Sequence, residues 1–179
     1  MFRPTIPVLA VIGRKASGKT TAAEIIVRAL SSRDLSVMTV KHVSEKGFSL
    51  DREGTDTWRH YKAGARIVST VSNCERAVLF KDEDRIDLDE FNSWAGRVDV
   101  IIFEGFSSLL LKEENVAKVV CLREQSERES YLEDIRGEVM ALCSFSLRGD
   151  GVLKLGVDDE ILGERVIQFF LDFERGRRF

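Results

Sequence analysis

The chain has 179 residues, 44% of them hydrophobic and 32% charged, which suits one domain with a sizeable core and is too apolar for a disordered chain. A net charge of −3 argues against a protein that coats nucleic acid. No apolar stretch approaches the ~20 residues of a membrane span, and Met1 to Pro7 runs into a glycine-containing loop where a signal peptide would carry its cleavage site, so the sequence reads as cytoplasmic, with neither membrane nor nucleic acid as a partner.

Val8 to Ile12 is a short apolar run entering a glycine loop and predicts a buried strand. The loop, Gly13-Arg14-Lys15-Ala16-Ser17-Gly18-Lys19-Thr20, matches GxxxxGK[ST] in full. Ala22, Ala23, Ile25, Ile26, Ala29 and Leu30 then recur at helical spacing, so a helix follows and ends near Ser31-Ser32. Strand, loop and helix together make a phosphate cradle: the glycines let backbone N–H groups turn inward, and the helix adds its free amides and positive dipole end. Gly13, Lys15, Ala16, Ser17, Gly18, Lys19, Thr20 and Thr21 are the expected nucleotide-binding residues. In that frame Lys19 reaches the β- and γ-phosphates and Thr20 is a Mg²⁺ ligand. Lys15 is either a second phosphate-facing cation or a solvated side chain.

Val37 to Val40 is the next strand, and Lys41 to Thr55 a long polar loop of the kind that carries function in compact domains. Asp56 to Gly64 reads as a short helix capped by Thr55 or Asp56. Lys41, His42, Asp56 and Arg59 are candidates for a second, anionic ligand, and Asp51 is a candidate for the metal shell; each has a plain alternative as a cap or a solvated surface residue. Arg66 to Val71 and Ala77 to Phe80 suggest a hairpin, and Leu88 to Trp94 a short helix.

Val98 to Phe103 is a strongly apolar strand ending in Glu104-Gly105. If it lies parallel to the first strand, Glu104 reaches the ligand-binding edge of the sheet and serves the metal or its water shell, with Gly105 admitting the γ-phosphate; the alternative is a helix-start acid at the surface. Lys19 and Glu104 are therefore the expected catalytic pair. Val116 to Leu122 and Val139 to Phe145 predict further strands, Glu124 to Arg136 a charged helix or flap, and Val157 to Phe173 a closing helix. Within the charged segment Glu124 and Arg128 have helical ion-pair spacing. Cys74, Cys121 and Cys143 contain no CxxC, and the last two sit in apolar runs as buried thiols, a metal or redox role being the alternative. With no repeat and no linker, the expectation is one P-loop nucleotide-binding domain over 1–179, with residues 173–179 a frayed tail. Its fold class is α/β, a P-loop NTPase fold with a mostly parallel sheet and helices on both faces.

The ordered set of Gly13 to Thr21, Lys41-His42, Phe48, Asp51, Gly54, Asp56, Arg59, Ala63-Gly64-Ala65 and Asp99 to Phe106 resembles the molybdopterin-guanine dinucleotide biosynthesis protein B (MobB) family, over roughly residues 7 to 123. The resemblance implies a homodimeric, GTP-binding and weakly Mg²⁺-dependent GTP-hydrolysing accessory protein. It would assist the enzyme that attaches GMP to molybdopterin, in the synthesis of the molybdenum or tungsten cofactor, with molybdopterin as a possible second ligand. It also implies that Asp51, Asp56 and Glu104 are acidic positions near the nucleotide. Two departures stand out: Val43-Ser44-Glu45-Lys46 replaces the family's histidine-rich stretch, and Gly54-Thr55-Asp56-Thr57 lacks its lysine. The chain carries no Asn-Lys-x-Asp guanine-reading motif, so guanine preference rests on the resemblance alone. Two other functions fit the phosphate loop. One is a small-molecule kinase whose flap arginines Arg123, Arg128 and Arg136 close on the transferred phosphoryl group. The other is a non-catalytic nucleotide switch.

Overall fold

A computed structural model describes residues 1–80 and 86–176. In chain order it contains strand β1 (Val8–Gly13), helix α1 (Lys19–Ser31), β2 (Val37–Lys41), α2 (Asp56–Lys62), β3 (Ile67–Val71), β4 (Arg76–Phe80) and a 3₁₀ turn (Leu88–Trp94). There follow β5 (Val100–Glu104), α3 (Ser107–Leu110), β6 (Ala117–Cys121), α4 (Ser126–Asp134), β7 (Val139–Ser144), β8 (Val152–Lys154) and α5 (Asp159–Glu174). The residues gather into two units: Met1–His42 with the chain from Leu88 onward, and the intervening Val43–Asp87.

The larger unit is built on a six-stranded sheet in the order β2-β5-β1-β6-β7-β8, every neighbouring pair parallel. Side chains alternate across a strand, so Leu9 and Val11 enter one core while Val8, Ala10 and Ile12 enter the other. Burial on both faces is why β1 and β5 up to Phe103 read as unbroken apolar runs, while β6 is interrupted only by Lys118. On the first face Ala22, Ile26 and Leu30 of α1 pack with Leu162, Val166 and Phe169 of α5. On the second face Leu88, Phe106, Leu110 and Ile135 cover the sheet from the 3₁₀ turn, α3 and α4. The sequence thus gives the right class: a parallel α/β sheet with helices on both sides.

Several boundaries move, for local reasons. The closing helix starts at Asp159 rather than Val157, because Asp158 and Asp159 turn back to accept from the backbone amides of Lys154 (2.8 Å) and Gly156 (2.7 Å). The helix runs through the expected end at Phe173 to Glu174, one residue further and into the expected tail, whose residues 177–179 lie outside the described residues. The charged segment is helical over Ser126–Asp134, so Glu124 precedes the helix and its spacing to Arg128 is not a within-helix one. The short elements α3 and β8 have too few residues to show a period. Among the described residues no helix is long and apolar enough to cross a membrane.

The smaller unit holds α2 and an antiparallel hairpin of β3 and β4. Thr55 is the cap of α2, its hydroxyl accepting from the Trp58 amide at 3.3 Å, which leaves Asp56 as the first helical residue. In the hairpin Ile67 faces Phe80 and Ser69 faces Val78, so Ile67, Val71, Val78 and Phe80 share one face, and all four are exposed.

Candidate functional site: a phosphate cradle at the carboxyl edge of the sheet

β1 delivers the chain to Gly13, where a Cβ would lie 2.4 Å from the Cys121 carbonyl oxygen and 2.5 Å from Ser17 Oγ, so the loop curls back only because this residue has no side chain. The curl ends at Gly18, φ +95°, which is the N-cap of α1; a Cβ here would meet Leu155 and Phe145 at 2.7 and 2.9 Å. Gly18 offers no side-chain acceptor, so the first-turn amides of α1 point outward as donors, at the positive end of a 13-residue helix. Ser17 is buried, and its hydroxyl has no hydrogen-bond partner among the described residues. Lys19 donates to the Arg14 carbonyl at 2.7 Å. Partial burial lowers its pKa from the ordinary lysine value and Lys41 adds to the lowering, while Glu104 opposes it. Ala16 to Thr21, Glu104 and Phe145 line a cleft of about 260 Å³. Lys15 is exposed and is not among the residues that line the cleft.

β5 pairs parallel with β1, with Val11 opposite Glu104, so Glu104 stands at the same carboxyl edge as the loop. Thr20 Oγ1 donates to Glu104 Oε1 at 2.6 Å. Lys41, opposite Glu104 in the β2–β5 register, forms an ion pair with the same Oε1, and its ammonium lies 3.2 Å from Thr20 Oγ1. Hydroxyl and carboxylate oxygens are the donors a Mg²⁺ ion takes when phosphates complete its shell, so Thr20 and Glu104 fit that ion. His42 donates its backbone N–H to the Glu104 carbonyl at 2.9 Å and tilts its ring against Phe106, centroids 5.1 Å apart. The Gly105 amide is bonded to the Val11 carbonyl at 2.9 Å and extends the sheet by one rung.

Asp51, Asp56 and Arg59 belong to the smaller unit. Asp51 Oδ1 accepts from the hydroxyls of Thr55 (2.9 Å) and Thr57 (2.7 Å), bracing the turn before α2. Arg59 pairs with Asp56 at 3.3 Å across one helical turn, both side chains largely exposed. Among the described residues no three His, Cys, Asp or Glu side chains group as a metal site. A metal held by Thr20 and Glu104 would fill the rest of its shell with water or phosphate oxygens.

Two features of the larger unit escape sequence reasoning. Glu127 is buried, accepting from the Arg123 backbone N–H (2.9 Å) and guanidinium (3.0 Å), with Arg14 of the loop at 3.6 Å. Burial pushes its carboxyl up, but those hydrogen bonds and the two guanidinium charges outweigh it and hold the pKa below the ordinary value. Its trace in the sequence is the i,i+4 spacing of Arg123 and Glu127, hidden among the other charges of the segment. Phe145, half exposed, forms a wall of the cleft from the end of β7. A strand-end aromatic has no sequence signature of its own.

The profile of the family described as "MobB: Molybdopterin guanine dinucleotide synthesis protein B" matches residues 8–145. A putative molybdopterin-guanine dinucleotide biosynthesis adapter protein of Methanocaldococcus jannaschii is 33% identical over 150 residues, covering 83% of this chain and 59% of that relative, so the chain spans about three-fifths of its length. The molybdopterin-guanine dinucleotide biosynthesis adapter protein of Escherichia coli is 31% identical over 169 residues, covering 92% and 93%. The crystal structure of Bacillus subtilis MobB superposes with a TM-score of 0.69 at 23% identity, covering 91% of this chain and 97% of that one, and thereby supports the fold. Phosphate loop, parallel sheet and matched sequence agree, and the chain belongs to the MobB family.

Proposed function

We propose that this protein is a cytoplasmic, GTP-binding and weakly GTP-hydrolysing adapter in molybdenum (or tungsten) cofactor biosynthesis, assisting the enzyme that attaches GMP to molybdopterin. The observation that carries the nucleotide reading is the Gly13–Thr21 cradle with the Thr20–Glu104 pair at its mouth. Family membership supplies the pathway, since the relatives are named as adapters of molybdopterin-guanine dinucleotide biosynthesis.

The chain's own residues divide the work simply. The α1 amides and Lys19 hold the triphosphate, whose negative charge draws Lys19 from the Arg14 carbonyl toward the phosphates. Thr20 and Glu104 would hold Mg²⁺, which would supply charge neutralisation at the phosphate oxygens. The kinase alternative loses support because two of its flap arginines have structural partners: Arg123 binds Glu127, and Arg136 donates to the carbonyls of Glu133 and Ile135.

Two features of the smaller unit support the remaining parts of the reading. The exposed apolar face of the hairpin suits a second copy of the chain in a homodimer. An open concavity of about 760 Å³, with Phe48, Trp58, Tyr61 and Phe80 in its wall, suits a flat heterocycle such as the pterin of molybdopterin. The test is competition binding of GTP and ATP. GTP displaces a fluorescent guanine nucleotide well below the ATP concentration needed, and Lys19→Ala loses triphosphate binding. Equal affinities favour the kinase, and unchanged binding by the variant removes the phosphate-loop assignment.

A further inference from the structure

The strand register places Lys41 and Glu104 opposite one another at the ends of β2 and β5. The Lys41 ammonium is bound to Glu104 Oε1 and lies 3.2 Å from Thr20 Oγ1, while that hydroxyl is 2.6 Å from the same Oε1. One cation, one hydroxyl and one carboxylate oxygen converge on a single point, and the hydroxyl and carboxylate are the two ligands that the metal reading requires. The lysine of the phosphate loop is not this cation, because Lys19 is turned to the Arg14 carbonyl.

We infer that Lys41 is a resident counter-cation: it neutralises Glu104 while no divalent metal is present, and a divalent metal that takes Thr20 and Glu104 as ligands has to displace it. The inference deepens the nucleotide-binding reading by giving Lys41 a role at that site. The Glu104 side chain is only 13% exposed, so its charge is poorly solvated and needs a partner at all times. The Lys41 side chain is 54% exposed on a flexible four-carbon stem, so its ammonium can leave for solvent at little cost. An ammonium and a divalent ion cannot share one carboxylate oxygen without strong repulsion at contact distance. Lys41 therefore keeps bare metal affinity low and ties metal binding to the arrival of the triphosphate, whose negative charge receives the displaced ammonium. The opposed pair is a cation exchange site built into the sheet edge.

The test uses no nucleotide, so it can fail while nucleotide binding stands, and the reverse. Mn²⁺ is titrated into the full-length wild type, Lys41→Met, Lys41→Arg and the double variant Lys41→Met/Glu104→Gln, with free Mn²⁺ read by electron paramagnetic resonance. Lys41→Met binds Mn²⁺ at least about tenfold more tightly than the wild type, Lys41→Arg matches the wild type, and the gain vanishes in the double variant. In the wild type, labelling of Lys41 by an amine-reactive reagent, followed by mass spectrometry, rises severalfold at saturating Mn²⁺ while labelling of Lys46 does not. Equal Mn²⁺ affinity of Lys41→Met and wild type, whether both bind or neither does, overturns the inference. So does a gain that persists without Glu104, or Lys41 labelling that ignores the metal.

Discussion

Replacing Glu127 tests whether the phosphate loop is held from behind by α4. The carboxylate is buried, while its guanidinium partners are not: the Arg123 and Arg14 side chains are 44% and 58% exposed. In Glu127→Ala both guanidiniums regain water, so the cost of stranding a buried charge does not arise. What is lost is the acceptor of the Arg123 backbone N–H, about 1–3 kcal/mol if left unpaired, together with a charge-assisted bond. The expected loss is ~2–3 kcal/mol for Glu127→Ala and ~1–2 for Glu127→Gln, which can still accept from the amide. At ~2–4 °C per kcal/mol for a chain of this size, the alanine variant melts roughly 4–12 °C lower. The pH dependence has a definite sign. The folded pKa lies below the ordinary 4.5, so the contribution is fully present above that value and is lost as pH falls through the folded pKa. Circular dichroism melts at pH 7 and at successively lower pH should show the gap between wild type and Glu127→Gln closing only in acid. A loss in Glu127→Ala under ~0.5 kcal/mol, the range of a surface substitution, would refute the reasoning, as would a gap indifferent to acid.

Lys118 is fully buried in β6, its ammonium held by the carbonyls of Glu113 and Arg136, and burial pulls its pKa from 10.5 to about 8. Between those two values the unfolded chain binds the extra proton, so stability rises with pH, by ~2 kcal/mol in order of magnitude. Urea titrations across that range should lose the slope in Lys118→Met, whatever the variant does at neutral pH. Of the three thiols, Cys74 is exposed and the other two are buried, with the Cys143 pKa pushed up to about 12 and that of Cys121 raised further by the same burial. An aromatic disulfide reagent should therefore titrate one thiol in the native protein and three in urea. Gly18→Val should sharply weaken triphosphate binding, since its side chain would enter the space of Leu155 and Phe145 at a backbone angle that valine resists; unchanged affinity would count against the cradle as built.

The sequence shows the parts of the fold that depend on local pattern. β1 and β5 announce themselves because a strand covered on both faces has few polar positions, and GxxxxGK[ST] announces the cradle because few residues permit that curl. Glu104 could be placed beforehand because the strand it ends is unmistakable. Its partner Lys41 could not, because Lys41 and Glu104 meet only through the non-sequential pairing of β2 with β5. Glu127 was hidden for a related reason: a buried carboxylate and a solvated one look alike in a charged run. The break of the closing helix at Asp159 was missed because Val157 continues the apolar period while two aspartates terminate the turn before it.

β2 and β5 are immediate neighbours in the sheet, yet the whole smaller unit is threaded between them. Parallel neighbours always need a crossover, and the 3₁₀ turn returns the chain to the sheet by seating Leu88 and setting Phe91 edge-on against Phe103 at 4.9 Å. The cost of tethering two strand ends grows only with the logarithm of the intervening length. That join can therefore lengthen or shorten with little entropic penalty to the sheet it interrupts.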